Sequence, residues 1–252
     1  MLLRLTIACL IALTTACASS PDIPQEAIAP QTTPLELARQ ELNAPETPPE
    51  RKLALSVQIA QMLQASPETQ PQAATYYKQG ASLWLQHNVG WEAREDIGEL
   101  GTLAATSFFE LGQMDRKLAQ SVKLQGATQT RALRDALEAR TKHLIAADKH
   151  YAKAAVLSSM HAPNSALRAR SLYEMGRQYD EFSQALLGAP LPQGLSQEQL
   201  QLYTEQIRSY AAPLSAKARK HYKIVSLLPV DEPEGKEVVA KAKARLEQLE
   251  AQ

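Results

Sequence analysis

The chain is predicted to be all-α, an elongated array of long helices paired into hairpins that repeat along the sequence. Three observations point there. Ala, Leu, Gln, Glu, Lys and Arg dominate while Val and Ile are sparse, which favours helix over strand. No stretch alternates apolar and polar residues over the length of a strand. Glycine or alanine recurs among bulky residues at helical spacing, as it does where helices must approach closely.

The first element stands outside the helical body. Arg4 precedes a short apolar run over residues 5–13, small residues lead up to Cys17, and Ala18, Ser19 and Ser20 follow. Such a run falls short of the ~20 residues needed to cross a bilayer. This layout resembles a bacterial lipoprotein signal. The resemblance implies removal of residues 1–16, fatty acylation of Cys17 and, because Ala18 rather than Asp follows, retention at the outer membrane facing the periplasm. It departs in one place: Leu13 lies four residues before Cys17, with Thr14 where leucine is expected. An ordinary cleaved signal beside a chance cysteine is the alternative. Cys9 would be lost with the signal and the sulfur of Cys17 used as a thioether, so no disulfide is available and stability must come from packing.

Residues 17–49 read as the lipidated N-terminus and a tether, because Pro21, Pro24, Pro30, Pro34, Pro45, Pro48 and Pro49 sit among Ser, Thr and Gln. Thr33-Pro34-Leu35-Glu36 offers a cap, a first-turn proline and a returning glutamate for one short helix within it. The helical domain is expected over 50–252. Thr47-Pro48-Pro49-Glu50 repeats the capping pattern and opens a helix to about residue 65, which Ser66-Pro67 stops. Leu53, Val57, Ala60 and Leu63, or Leu55, Ile59 and Met62, offer its buried stripe. Further helices are predicted over about 71–86, ended by Asn88 and Gly90, then about 91–124 and about 128–158, with a loop at His161-Ala162-Pro163-Asn164. The next, over about 165–187, carries Leu172, Met175, Tyr179, Phe182 and Leu186 at helical spacing and meets Gly188 and two prolines. Ser196-Gln197-Glu198-Gln199 caps another, which Pro213 is expected to kink or break, since proline lacks an amide proton and collides with the preceding turn. A segment over about 214–227 and a last helix with Val238, Val239, Ala242, Leu246 and Leu249 complete the series.

Three segments set a glycine beside bulky residues: Tyr76-Tyr77-Lys78-Gln79-Gly80, Phe108-Phe109-Glu110-Leu111-Gly112, and Leu172-Tyr173-Glu174-Met175-Gly176 with Tyr179 following. Their glycines lie 32 and 64 residues apart. Two later helices answer with Ala147-x3-Tyr151-x2-Ala154 and Ala218-x3-Tyr222-x2-Val225, the second followed by Pro229. This pattern resembles the tetratricopeptide repeat. The resemblance implies antiparallel helix pairs that close up at glycine or alanine, with an aromatic filling the gap between one hairpin and the next. The repeats are degenerate: Gly112 to Ala147 spans 35 residues and Gly176 to Ala218 spans 42, so each pair carries an insertion. Over about 104–228 the run of Met175, Gly176, Tyr179 and Phe182, then Ala189-Pro190-Leu191-Pro192-Gln193-Gly194-Leu195, then Tyr203 and Pro213-Leu214, is similar to the late region of large repeat proteins of gliding motility and other envelope machinery. That similarity implies a role in protein assembly. Pro190, Pro192, Gly194 and Leu195 form a long, stiff, apolar loop, read either as a partner contact or as a spacer between helices.

Lys+Arg and Asp+Glu both number 27 and are interspersed, which lacks the basic excess of a nucleic-acid binder. His143 and His150 lie seven apart on one helix face without an i,i+4 mate, so a metal site would need ligands from elsewhere. Glu92, Glu95, Asp96 and Glu99, with Arg94 among them, read as a solvated face near a helix N-terminus rather than paired catalytic carboxylates. No nucleophile elbow, phosphate-cradling loop or zinc-protease motif occurs. Trp84 and Trp91 flank Gly90 and read as closing a turn between helices, with a ligand groove as the alternative. The expected function is therefore a lipid-anchored envelope scaffold that binds another protein. No catalytic residue, metal, cofactor, nucleic acid or small-molecule substrate is expected. An accessory or chaperone for outer-membrane protein assembly is the runner-up, and a cell-wall-active enzyme follows it.

Overall fold

The computed structural model describes residues 32–124, 130–160 and 165–251. The chain divides into two units, Met1–Thr33 and Pro34–Gln252. Cys17, the segment read as a signal, the tether prolines Pro21, Pro24 and Pro30, the start of the helix expected from residue 128 and the loop at His161 to Asn164 lie outside the described residues.

Among the described residues every regular element is an α-helix. They are α1 (Pro34–Asn43), α2 (Pro49–Gln64), α3 (Gln70–Trp91), α4 (Ile97–Ser121), α5 (Thr130–Met160), α6 (Ser165–Leu187), α7 (Gln197–Ser226) and α8 (Pro233–Glu250). Three hairpins, α2/α3, α4/α5 and α6/α7, carry the most extensive packing. α1 lies on α2, and α8 lies on α6 and α7. The first helices of successive hairpins also stack, α2 on α4, α4 on α6 and α6 on α8. This is a helical repeat in which each hairpin touches only its neighbours.

One apolar core runs from Ala38 and Leu42 of α1 through α2, α3, α4 and α5 to Leu167 and Met175 of α6. Ala218, Tyr222 and Val225 of α7 form a second with Ala242 and Leu249 of α8. A third, smaller cluster joins Leu144, Phe182, Leu186 and Ala211. α1 therefore belongs to the packed unit, which begins at Pro34, inside the segment read as tether.

Several local expectations meet a different outcome. At α2 the hydroxyl of Thr47 donates to the carbonyl of Glu41 instead of capping, and Pro48 occupies the cap position without a side-chain bond. α2 buries both candidate stripes, Leu53, Leu55, Val57, Ile59, Ala60 and Leu63, because α1, α3 and α4 surround it, while Met62 stays 38% exposed. α3 runs through Gly90 to Trp91, so the two tryptophans share one helix. The box at Ser196 does form: its hydroxyl accepts from the Gln199 amide at 3.3 Å, and the Gln199 side chain accepts from the Ser196 amide at 2.9 Å. α7 then continues without interruption through Pro213, whose ring is exposed and demands room only on the solvent side.

Candidate functional site

Every hairpin closes on a buried tyrosine. Tyr77, Tyr151 and Tyr222, on α3, α5 and α7, are 1%, 0% and 1% exposed. An alanine lies four residues before each, Ala73, Ala147 and Ala218, and a small or β-branched residue three after, Gly80, Ala154 and Val225. Gly80 thus corresponds to Ala154 on a second helix and not to Gly112 and Gly176 on first helices. A Cβ at Gly112 would lie 2.7 Å from the Tyr151 ring, and one at Gly176 would lie 3.1 Å from the Tyr222 ring. The aromatic wedge therefore fills space inside a hairpin rather than between hairpins. Leu111 and Met175 are buried beside these glycines, and Tyr179 is half-buried.

Opposite each tyrosine stands a polar residue of the first helix, four positions after a small one: Gln64 after Ala60, Arg116 after Gly112, Asp180 after Gly176. Tyr77 donates to Gln64 Oε1 at 2.6 Å, Tyr151 faces Arg116, and Tyr222 donates to Asp180 Oδ2 at 3.4 Å. Burial pushes the pKa of all three phenols far above its usual value and keeps them neutral. Each polar residue also reaches the next first helix. Gln64 donates to Glu110 at 2.8 Å, Arg116 pairs with Glu174 at 3.2 Å and Glu181 at 3.0 Å, and Asp180 accepts from Arg245 at 2.6 Å and 2.9 Å. A chain of polar links runs α2–α4–α6–α8 behind the wedges.

Away from these seams lie two surfaces suited to ligands. α5 and α7 both pack on α6 but not on each other, and the gap holds a cavity of about 520 Å³. Its floor is Phe182 and Leu186 of α6; its walls are Leu133 and Leu137 of α5 and Ile207 and Leu214 of α7. Arg134 is its single charged lining residue, and Tyr210 on the far wall is 62% exposed. Beneath the floor, the Arg140 guanidinium lies 5.1 Å from the Phe182 ring centre. Arg140 is 7% exposed, and burial pushes its pKa down while Glu181 opposes that. The second surface is the outer face of α5. Ile145, Val156 and Met160 are 52%, 49% and 68% exposed and share one stripe at helical spacing, with Lys142, Lys149 and Lys153 alongside.

The other residues singled out by sequence have structural partners. Arg94 bridges Asp96 at 2.7 Å and Glu50 of α2 at 2.8 Å, so the acidic run is a tie between α2 and the α3–α4 turn, with Glu92, Glu95 and Glu99 exposed. Asp115 of α4 receives His150 at 2.9 Å and faces His143 at 3.9 Å; no metal-holding group of three or more such side chains occurs among the described residues. Trp84 and Trp91 pack with ring centres 6.0 Å apart inside the core, which removes the groove alternative. Pro190, Leu191 and Gly194 are exposed and Pro192 and Leu195 half-buried in the α6–α7 connection, where Gly194 takes φ 81°. The α5–α7 groove escaped sequence reasoning, although the excess length of α5 and α7 over a standard repeat was its signal.

No family model matches the chain, and neither a curated protein nor a solved structure matches it.

Proposed function

We propose that this protein is a lipid-anchored scaffold of the bacterial envelope, held by Cys17 at the periplasmic face of the outer membrane, whose helical repeats bind another protein. The layout around Cys17 and the resemblance to tetratricopeptide repeats support the anchor and the array. The observation that carries the binding role is the outer face of α5, where Ile145, Val156 and Met160 stay in solvent at helical spacing beside three lysines. An apolar stripe bordered by lysines, with Glu138 and Asp135 at its N-terminal end, suits an amphipathic partner helix that carries carboxylates along most of its edge. The anchor keeps the module at the membrane and raises its effective concentration there.

A photo-crosslinking amino acid at position 145, introduced into cells, should capture a discrete envelope protein, and Ile145→Asp with Val156→Asp should abolish capture from a probe at position 149. Cys17→Ser should release the chain from the membrane fraction. Capture unaffected by the double substitution would refute the α5 surface. Membrane retention of the Cys17→Ser chain would refute the anchor.

A further inference from the structure

The α5–α6–α7 groove is a second site with a different chemistry, and its case does not rest on the protein-partner reading. Its walls are aliphatic and aromatic along about 16 Å, the rise from Tyr203 to Leu214 on α7. A volume of about 520 Å³ falls in the range of small-molecule pockets, roughly 300–1,000 Å³. Three turns of helix, about 10 Å across and about 16 Å long, fill on the order of 1,300 Å³ and would seat only part of their girth here, whereas an acyl chain is taken up whole. A single flexible acyl chain is the apolar rod that fits.

The charges select the head. Arg134 at the rim forms no ion pair among the described residues, and the lining contains no carboxylate. Arg140, directly under Phe182, is likewise without an ion pair among the described residues. Glu181 is the carboxylate that acts on Arg140 behind the floor, and with none in the lining the charge facing the groove is positive and suits an anionic head. The guanidinium fork of Arg134 matches a carboxylate in bidentate geometry. Tyr203, also in the lining, has a hydroxyl shielded from solvent without a hydrogen-bond partner, a further donor on the same wall. We infer that this groove binds a long-chain carboxylate, with the chain against Leu137, Phe182, Leu186 and Ile207 and the head at Arg134.

Titration calorimetry of the full chain with myristate, below its micellar concentration, should show one saturable site. Tetradecyltrimethylammonium, similar in chain length and opposite in charge, should bind at least about tenfold more weakly. Arg134→Glu, at an exposed position, should weaken myristate by about tenfold or more, while Arg134→Lys should keep most of the affinity. Ile207→Trp should fill the groove and abolish binding; Tyr210→Ala, on the exposed wall, provides a variant that leaves packing intact and should weaken binding in the same direction. Non-saturable uptake, equal binding of the two amphipaths, or myristate affinity untouched by Arg134→Glu and Tyr210→Ala would overturn the inference. So would a photo-crosslinker at position 207 that captures a protein and no acyl chain in cells.

Discussion

At the scale of single residues, the fold turns on where a side chain is forbidden. A methyl group at Gly112 would sit 2.7 Å from ring carbons of Tyr151, and that ring is fully enclosed. A buried aromatic ring cannot swing aside as a flexible chain end can, so the hairpin must open. Gly112→Ala is expected to destabilise by about 1–3 kcal/mol, the usual penalty for overpacking a filled core. Gly90 is the control. It lies in the last turn of α3 with open space around its missing Cβ, and alanine there is expected to stabilise by about 0.5–1 kcal/mol through helix propensity alone. Chemical denaturation of the two variants checks both signs, and equal effects would mean that Gly112 is tolerated for propensity rather than required for contact.

At the scale of elements, what sequence reasoning could and could not see follows from whether the cause is local. The capping box at Ser196 is local and was legible, as were the stops after α2 and α6. Thr47 misled because its hydroxyl has a competing acceptor, the Glu41 carbonyl at the end of α1, which exists only once α1 packs on α2. Gly80 misled because glycine marks close approach on either helix of a pair; the equivalence of Ala73-x3-Tyr77-x2-Gly80 with the later motifs appears only when α3 is known to be a second helix. The groove was invisible for the same reason, since its lining comes from three helices. Pro213 is the sharpest case, because a rule about the backbone was met without a break. Its cost is real all the same: the carbonyl one turn back has no amide to accept, a loss of up to about 3 kcal/mol. Beside it, Ser183 of α6 donates to the Ala211 carbonyl at 3.2 Å and its hydroxyl lies 2.8 Å from that of Ser215, a polar stitch that holds α7 across the proline. Pro213→Ala is therefore expected to raise the thermal midpoint, by an amount equivalent to about 1–3 kcal/mol. A lowered midpoint would show that the α6–α7 stitch depends on the geometry that proline imposes.

At the scale of the helical unit, stability should be distributed as in a one-dimensional array. Hairpins touch only their neighbours, and the polar residues behind the wedges hand contact from α2 to α4, α6 and α8 in turn. The last link is the pair Asp180–Arg245, where a carboxylate 5% exposed accepts two hydrogen bonds from one guanidinium. Removing a partner from such a pair leaves a buried charge and costs about 3–5 kcal/mol. Deleting residues 233–252 does this and also uncovers Ala218, Tyr222 and Val225, whose cluster α8 completes. The loss should nevertheless stay near its source, because interface terms in a repeat array act between adjacent units. Amide hydrogen exchange is expected to accelerate strongly in α7 and in the Asp180 region of α6, moderately in α5, and hardly at all in α2 and α3, which share the core around Leu53, Ile59 and Trp84. Uniform acceleration from α2 to α7 would instead mean that the hairpins unfold as one cooperative body, and the continuous core running from α1 to Met175 would then outweigh the modular contacts.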